Sequence, residues 1–291
     1  MFCGVYSALI TPFLKDLSID YELLGKLIES QLINKITGFV ILGTTAESTS
    51  LSAEEKEAII DFVINKVNGR CKIIVGIVDN NTHNACNTIV KYNKINHIDG
   101  YLVVVPFYNK PTQEGLYLHF YECSKASKHP IILYNVFSRC GVSLSIDSIL
   151  KLAQIENIVG IKECSNDINY VMQLCKDKPK NFEILCGEDS LLCNYLMLGS
   201  SGCISVASNL ITLQVVEIYK NLVEDNNYKK SLNILYKHLN LITYLFKQSN
   251  PIPIKTLLSY VYKTEEYFRL PLCKLSSQEK LNLINSYEEI I

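Results

Sequence analysis

Short runs of aliphatic and β-branched residues recur along this chain, and the stretches between them carry apolar residues at helical spacing. Strands are predicted over residues 4–10, 38–43, 72–78, 100–105, 130–134, 158–162, 182–187 and 202–206. Most of these runs are continuously apolar rather than alternating, the pattern of parallel strands covered on both faces. The first intervening helix is placed at Tyr21–Ile33, with Leu23, Leu24, Leu27 and Ile28 on one face and Asp20 as N-cap. Ser52-Ala-Glu-Glu55 has the form of a capping box, and Asp189 and Asn209 are placed as N-caps after the seventh and eighth strands. Eight strands, each followed by a helix, predict an α/β fold of the (β/α)8 TIM-barrel class. An open doubly wound sheet also alternates strand and helix, but eight units of similar length favour closure. Only helical periodicity follows, and prolines in Asn250-Pro-Ile-Pro-Ile-Lys255 fix a helix entry. The expected division is a barrel over residues 1–224 and a C-terminal helical extension over residues 225–291.

Composition narrows the picture. A net charge of −1 with no basic run predicts no nucleic-acid partner. No apolar stretch approaches the ~18 residues of a membrane span, and the N-terminus has no basic n-region, so neither a membrane segment nor a cleaved signal is expected. The eleven cysteines are scattered, without C-x-x-C or His at zinc-ligand spacing. They read as small hydrophobes in a reducing cytoplasm; neither a disulfide framework, a metal site nor a cofactor is predicted. None of the five histidines lies at a strand C-terminus.

One lysine changes the reading from fold to chemistry. Lys162 closes the sixth strand, Ile158-Val-Gly-Ile-Lys162. Burial there disfavours the ammonium and is expected to lower its pKa toward neutrality, which asks the site for roughly 4–5 kcal/mol. The plain alternative is a lysine that ends a strand and reaches out to water. Chemistry in a barrel belongs at the C-terminal strand ends. The sequence places Thr44 and Thr45 after strand two, Tyr108 after strand four, Tyr134 and then Arg139 at strand five, and Gly187 after strand seven. An amine, two hydroxyls, two phenols and a guanidinium thus share one mouth. Such a set can form an imine with a 2-oxo acid, relay protons through a phenol and grip a carboxylate. Glu163 is expected to point away from the lumen, and Glu188 and Asp189 argue against a phosphate cradle.

Five segments carry a resemblance: Gly43-Thr-Thr-Ala-Glu-Ser48, Pro106-Phe-Tyr-Asn-Lys-Pro-Thr-Gln-Glu-Gly-Leu-Tyr117, Tyr134-Asn-Val-Phe-Ser-Arg139, Gly160-Ile-Lys-Glu163 and Asn250-Pro-Ile-Pro-Ile-Lys255. In this order the chain resembles the dihydrodipicolinate synthase family, among the pyruvate-dependent aldolases that include N-acetylneuraminate lyase. The resemblance implies a lyase in which Lys162 forms the Schiff base with pyruvate and Tyr134 moves protons. It implies that Thr44 links Tyr134 to Tyr108, and that Tyr108 reaches into a neighbouring subunit. Thr45 would bind the pyruvate carboxylate and Arg139 that of L-aspartate 4-semialdehyde, with Gly187 and Ile204 near substrate through backbone groups. The implied product is 4-hydroxy-tetrahydrodipicolinate, on the route to diaminopimelate and lysine, and the implied assembly is a tetramer of two tight dimers. Another pyruvate aldolase, such as N-acetylneuraminate lyase or a 2-keto-3-deoxy sugar acid aldolase, and a non-catalytic binding barrel are the alternatives.

The chain departs from the family pattern at Ala46, where glycine is usual, and at Phe137, where proline is usual. Cys140 and Cys164 flank the key residues and read as packing variants. Around the family's lysine effector site, Ala53, Lys56, Asn84 and Phe107 replace two histidines, an acid and a tyrosine, which predicts weak or absent inhibition by lysine.

Overall fold

A computed structural model describes residues 2–291. Eight parallel strands close on themselves: β1 (Gly4–Ala8), β2 (Gly38–Ile41), β3 (Lys72–Ile77), β4 (Gly100–Val104), β5 (Ile131–Asn135), β6 (Ile158–Glu163), β7 (Glu183–Cys186) and β8 (Gly202–Ser205), with β8 paired to β1. The expected (β/α)8 barrel is therefore the architecture. Nearly every strand residue is buried, because side chains of one parity fill the lumen and those of the other meet the surrounding helices.

The helical shell comprises α1 (Tyr21–Ile33), α2 (Ala53–Val67), α3 (Thr82–Tyr92), α4 (Gln113–Ala126), the short α5 (Phe137–Cys140), α6 (Ile146–Leu152), α7 (Ile168–Asp177), α8 (Leu192–Met197) and α9 (Thr212–Val223). Beyond these come α10 (Tyr228–Leu245), α11 (Ile252–Tyr262) and α12 (Ser277–Glu288). Asp20 caps α1 by accepting from the Leu23 amide, and Ser52 and Glu55 form the capping box of α2. Two expected caps do something else. Asp189 opens a 3-10 turn, and its carboxylate accepts from the Val206 and Ala207 amides at the end of the adjacent β8. Asn209 accepts from the Ile10 amide and donates to the Ala8 carbonyl, tying β8 to β1, while α9 starts without a side-chain cap. In both places an orphaned backbone group of a neighbouring strand end outcompeted the nearest helix.

The pairing of β5 with β6 contains a register shift. Ile131 faces Ile158 but Ile132 faces Gly160, which leaves Val159 as an extra residue. Beyond the shift, Tyr134 lies opposite Lys162 and Asn135 opposite Glu163. Without it, Lys162 would pair with Asn135 and lose its place beside the phenol.

Candidate active site

In-register neighbours of a sheet share a face. Val104 pairs with Tyr134, Tyr134 with Lys162, Lys162 with Leu185 and Leu185 with Gly202, two residues before Ile204. Lys162, Tyr134 and Ile204 therefore face one lumen. Lys162 is 6% exposed and Tyr134 5%. The Lys162 ammonium lies 4.3 Å from the centre of the Tyr134 ring, and the Tyr134 hydroxyl hydrogen-bonds to the Thr44 side chain. Burial pushes the Tyr134 phenol up, against the pull of Lys162.

The charge state of Lys162 corrects the expectation drawn from its burial. Burial is the largest single influence and does lower its pKa. The negative charges that Tyr134, Cys164, Asp189 and Glu188 can carry pull the other way, and the balance lies above the ordinary lysine value. In its ammonium form the amine has to lose a proton before the nitrogen can attack a carbonyl. In the sequence, Glu188 and Asp189 speak only against a phosphate cradle; in the structure they stand close enough to Lys162 to act on its charge. Glu188 is half-buried; burial and then Asp189 push its carboxyl up to about 7, while Lys162 and Arg139 draw it back. A group poised there exchanges protons near neutral pH.

Gly187 makes room for the lysine. Its amide donates to the Glu163 carbonyl at 2.8 Å. A Cβ at Gly187 would run into Cys164 Sγ and lie 2.9 Å from Lys162 Cε, so no larger residue fits while Lys162 points inward. Cys164 therefore lines the lumen beside Lys162; burial holds its thiol protonated, with a pKa of about 12.

The C-terminal segment completes the mouth. Asn250 Nδ2 donates to Thr45 Oγ1 at 2.9 Å, and the Asn250 carbonyl accepts from Arg139 Nη2 at 2.9 Å. Asn250 thus joins the two groups expected to hold carboxylates. A cleft of about 140 Å³ opens there, lined by Thr44, Arg139, Asn250 and Arg269 among others. Just behind Thr45, Glu47 and Lys255 form a buried ion pair that binds the β2 loop to α11. Burial raises the Glu47 carboxyl and lowers the Lys255 amine, and each charge resists the other's shift. The motif around Asn250 stands out in the sequence, but nothing local says that it folds back across the barrel.

A primary amine, a phenol and hydroxyls in a buried lumen, with a guanidinium at the rim, suit covalent chemistry on a carbonyl acid. A profile of the Dihydrodipicolinate synthetase family matches residues 1–290. The chain belongs to that family. It is 40% identical over 284 residues to a 4-hydroxy-tetrahydrodipicolinate synthase of Aquifex aeolicus (strain VF5), covering 97% of this chain and 96% of the relative. It is 38% identical over 284 residues to a protein of the same description from Endomicrobium trichonymphae, again covering 97% and 96%. The solved 4-hydroxy-tetrahydrodipicolinate synthase of Methylacidiphilum fumariolicum SolV matches with a TM-score of 0.96 at 36% identity, covering 100% of this chain and 96% of that one.

Against the dihydrodipicolinate synthetase pattern, the departures have local accounts. The left-handed residues of the segment after β2 are Leu42 and Glu47, each with φ 54°, and not Ala46, so alanine is accommodated. Phe137 is 65% exposed and opens α5. The loop it begins is held at other points: Cys140 Sγ donates to the Val105 carbonyl, and Gly141 takes a left-handed φ of 69°. Burial pushes the Cys140 thiol to about 11, as fits a packing residue. Tyr108 is the one expected site residue that the fold of a single chain does not bring in. It is 88% exposed with φ 72°. His119 is buried on α4, where its Nδ1 meets Thr82 Oγ1 at 3.0 Å and burial lowers its pKa to about 4. No cluster of metal-ligating side chains occurs among the described residues, and no helix there is long and apolar enough to cross a membrane.

Proposed function

We propose that this protein condenses pyruvate with L-aspartate 4-semialdehyde to give 4-hydroxy-tetrahydrodipicolinate, a step toward diaminopimelate and lysine. The observation that carries the reading is the buried amine of Lys162 beside the phenol of Tyr134, itself bonded to Thr44. Lys162, once deprotonated, attacks C2 of pyruvate to form a carbinolamine. Loss of water leaves a protonated imine, which acidifies the methyl group and yields an enamine. Enamine carbon attacks the aldehyde, whose oxygen takes up a proton and becomes a hydroxyl. The substrate's amine then attacks the imine carbon, closing the ring and releasing Lys162. Tyr134, relayed through Thr44, handles the protons. Thr45, oriented by Asn250, takes the pyruvate carboxylate, and Arg139 takes that of the semialdehyde.

Treatment with pyruvate and borohydride, followed by mass mapping, tests this. The expected adduct sits on Lys162 and vanishes in Lys162→Ala. Arg139→Ala keeps the adduct and loses use of the semialdehyde. An unmodified native protein would sink the reading.

The same proposal covers assembly, location and regulation. The exposed Tyr108 reaches a partner's site in a tight dimer, two dimers form a tetramer, and the protein works in the cytoplasm. Residues 1–224 form the catalytic unit, to which the 225–291 extension contributes Asn250. Lysine inhibits weakly or not at all, because Lys56, half-buried with its pKa lowered by burial, occupies the effector region. Half-maximal inhibition at submillimolar lysine would overturn that last point.

A further inference from the structure

The catalytic strand ends are tied together on the side away from the lumen. Successive residues of a strand face opposite ways, so Asn135 and Glu163 stand directly behind Tyr134 and Lys162, and the register sets them opposite each other. Asn135 Nδ2 donates to Glu163 Oε2 at 2.8 Å. The Tyr170 hydroxyl, from α7, donates to the same oxygen at 3.1 Å. Asn135 Oδ1 accepts from the Leu144 amide at 2.9 Å, where the loop bearing Arg139 returns to the barrel.

Asn135 and Glu163 are each only 2% exposed. Elsewhere the outward positions of these two strands are apolar, Leu133 and Ile161 for example, so the fold alone has no need of a buried carboxyl here. Such groups are costly unless fully bonded. A cleft of about 420 Å³ lies alongside, lined by Phe137, Ser138, Ser143, Asp167 and Tyr170 among others. The Arg139 loop faces open space on this side, while Val136, Cys140 and Leu144 seat it in the core on the other.

We propose that Asn135, Glu163 and Tyr170 are positioning residues. Together they form a clamp that fixes Tyr134 against Lys162 and anchors the far end of the Arg139 loop. The proposal rests on the Schiff-base reading above and deepens it. Because a misplacement of an ångström can cost ~10²-fold in rate, loosening the clamp slows imine formation without removing any group that touches substrate.

The test is the time course of borohydride trapping of the pyruvate adduct, measured alongside steady-state kinetics and thermal unfolding. Tyr170→Phe and Glu163→Ala are expected to slow trapping by about tenfold while reaching the native final extent. Glu163→Gln keeps an acceptor oxygen and should recover most of the rate. Asn135→Ala should in addition raise KM for the semialdehyde, since the Arg139 loop loses its anchor. A purely structural role lowers the unfolding temperature but leaves the trapping rate of the folded protein unchanged. Native trapping rates in Tyr170→Phe and Glu163→Ala would therefore overturn the clamp, as would a Glu163→Gln protein as slow as Glu163→Ala. Should Glu163→Ala fail to fold, Tyr170→Phe decides, because it removes a single oxygen. A native protein that forms no adduct defeats the Schiff-base reading, and the clamp with it.

Discussion

Charge at single residues governs this site. Lys162 is buried, yet neighbouring groups that can carry negative charge, Tyr134 and Cys164 ahead of Asp189 and Glu188, outweigh the burial and set its pKa above the ordinary value. Desolvation and neighbouring charge act in opposite directions on a lysine, and which prevails depends on partners that a linear reading does not reveal. Glu163 gives a measurable consequence. Burial raises its carboxyl to about 7 against the hydrogen bonds of Asn135 and Tyr170. The native protein then binds more protons than the unfolded chain between about pH 4.5 and 7, so stability falls as pH rises through that window. The cost of ionising it is on the order of 3 kcal/mol above pH 7. Denaturant titrations of the native protein and Glu163→Gln at pH 5 and pH 8 should show the variant gaining relative stability at the higher pH. Equal differences at the two pH values would refute the raised pKa.

At the level of elements, the mouth is assembled from loops that the C-terminal segment helps to hold in place. The Glu47–Lys255 pair joins the β2 loop to α11, with both side chains almost wholly buried. Removing one partner strands the other's charge. Lys255→Met is expected to lose about 3–5 kcal/mol of unfolding free energy, and adding Glu47→Gln should restore part of it; chemical denaturation reads both. The strands and most caps were legible because each rests on a local signal: an apolar run, or Ser52 three residues before Glu55. Asp189 and Asn209 do not cap the helices expected from the sequence because their partners, at Val206, Ile10 and Ala8, lie on the next strand of the barrel, distant in sequence for Asn209 and one βα unit on for Asp189. The β6 register shift at Val159 has no clear mark in the sequence either.

For the whole molecule, the feature left over is Tyr108, exposed on a strained backbone at the rim. If each site borrows it from a partner, two inactive variants complement each other. Mixing Lys162→Ala with Tyr108→Ala after subunit exchange should recover about a quarter of native activity, since half of randomly formed dimers are mixed and each holds one intact site. No recovery, with exchange verified by mass, would show that every chain uses its own groups.

The sequence by itself determined the barrel, the lumen-facing lysine at the end of β6 and the family. Those follow from periodicity and from residues placed at strand ends, which are local properties of the chain. Only tertiary structure decided the balance of burial and charge around Lys162, the contact of Asn250 with Thr45 and Arg139, and the tie between Asn135, Glu163 and Tyr170. Each depends on groups far apart in sequence meeting at a few ångströms, where burial and charge set their strength.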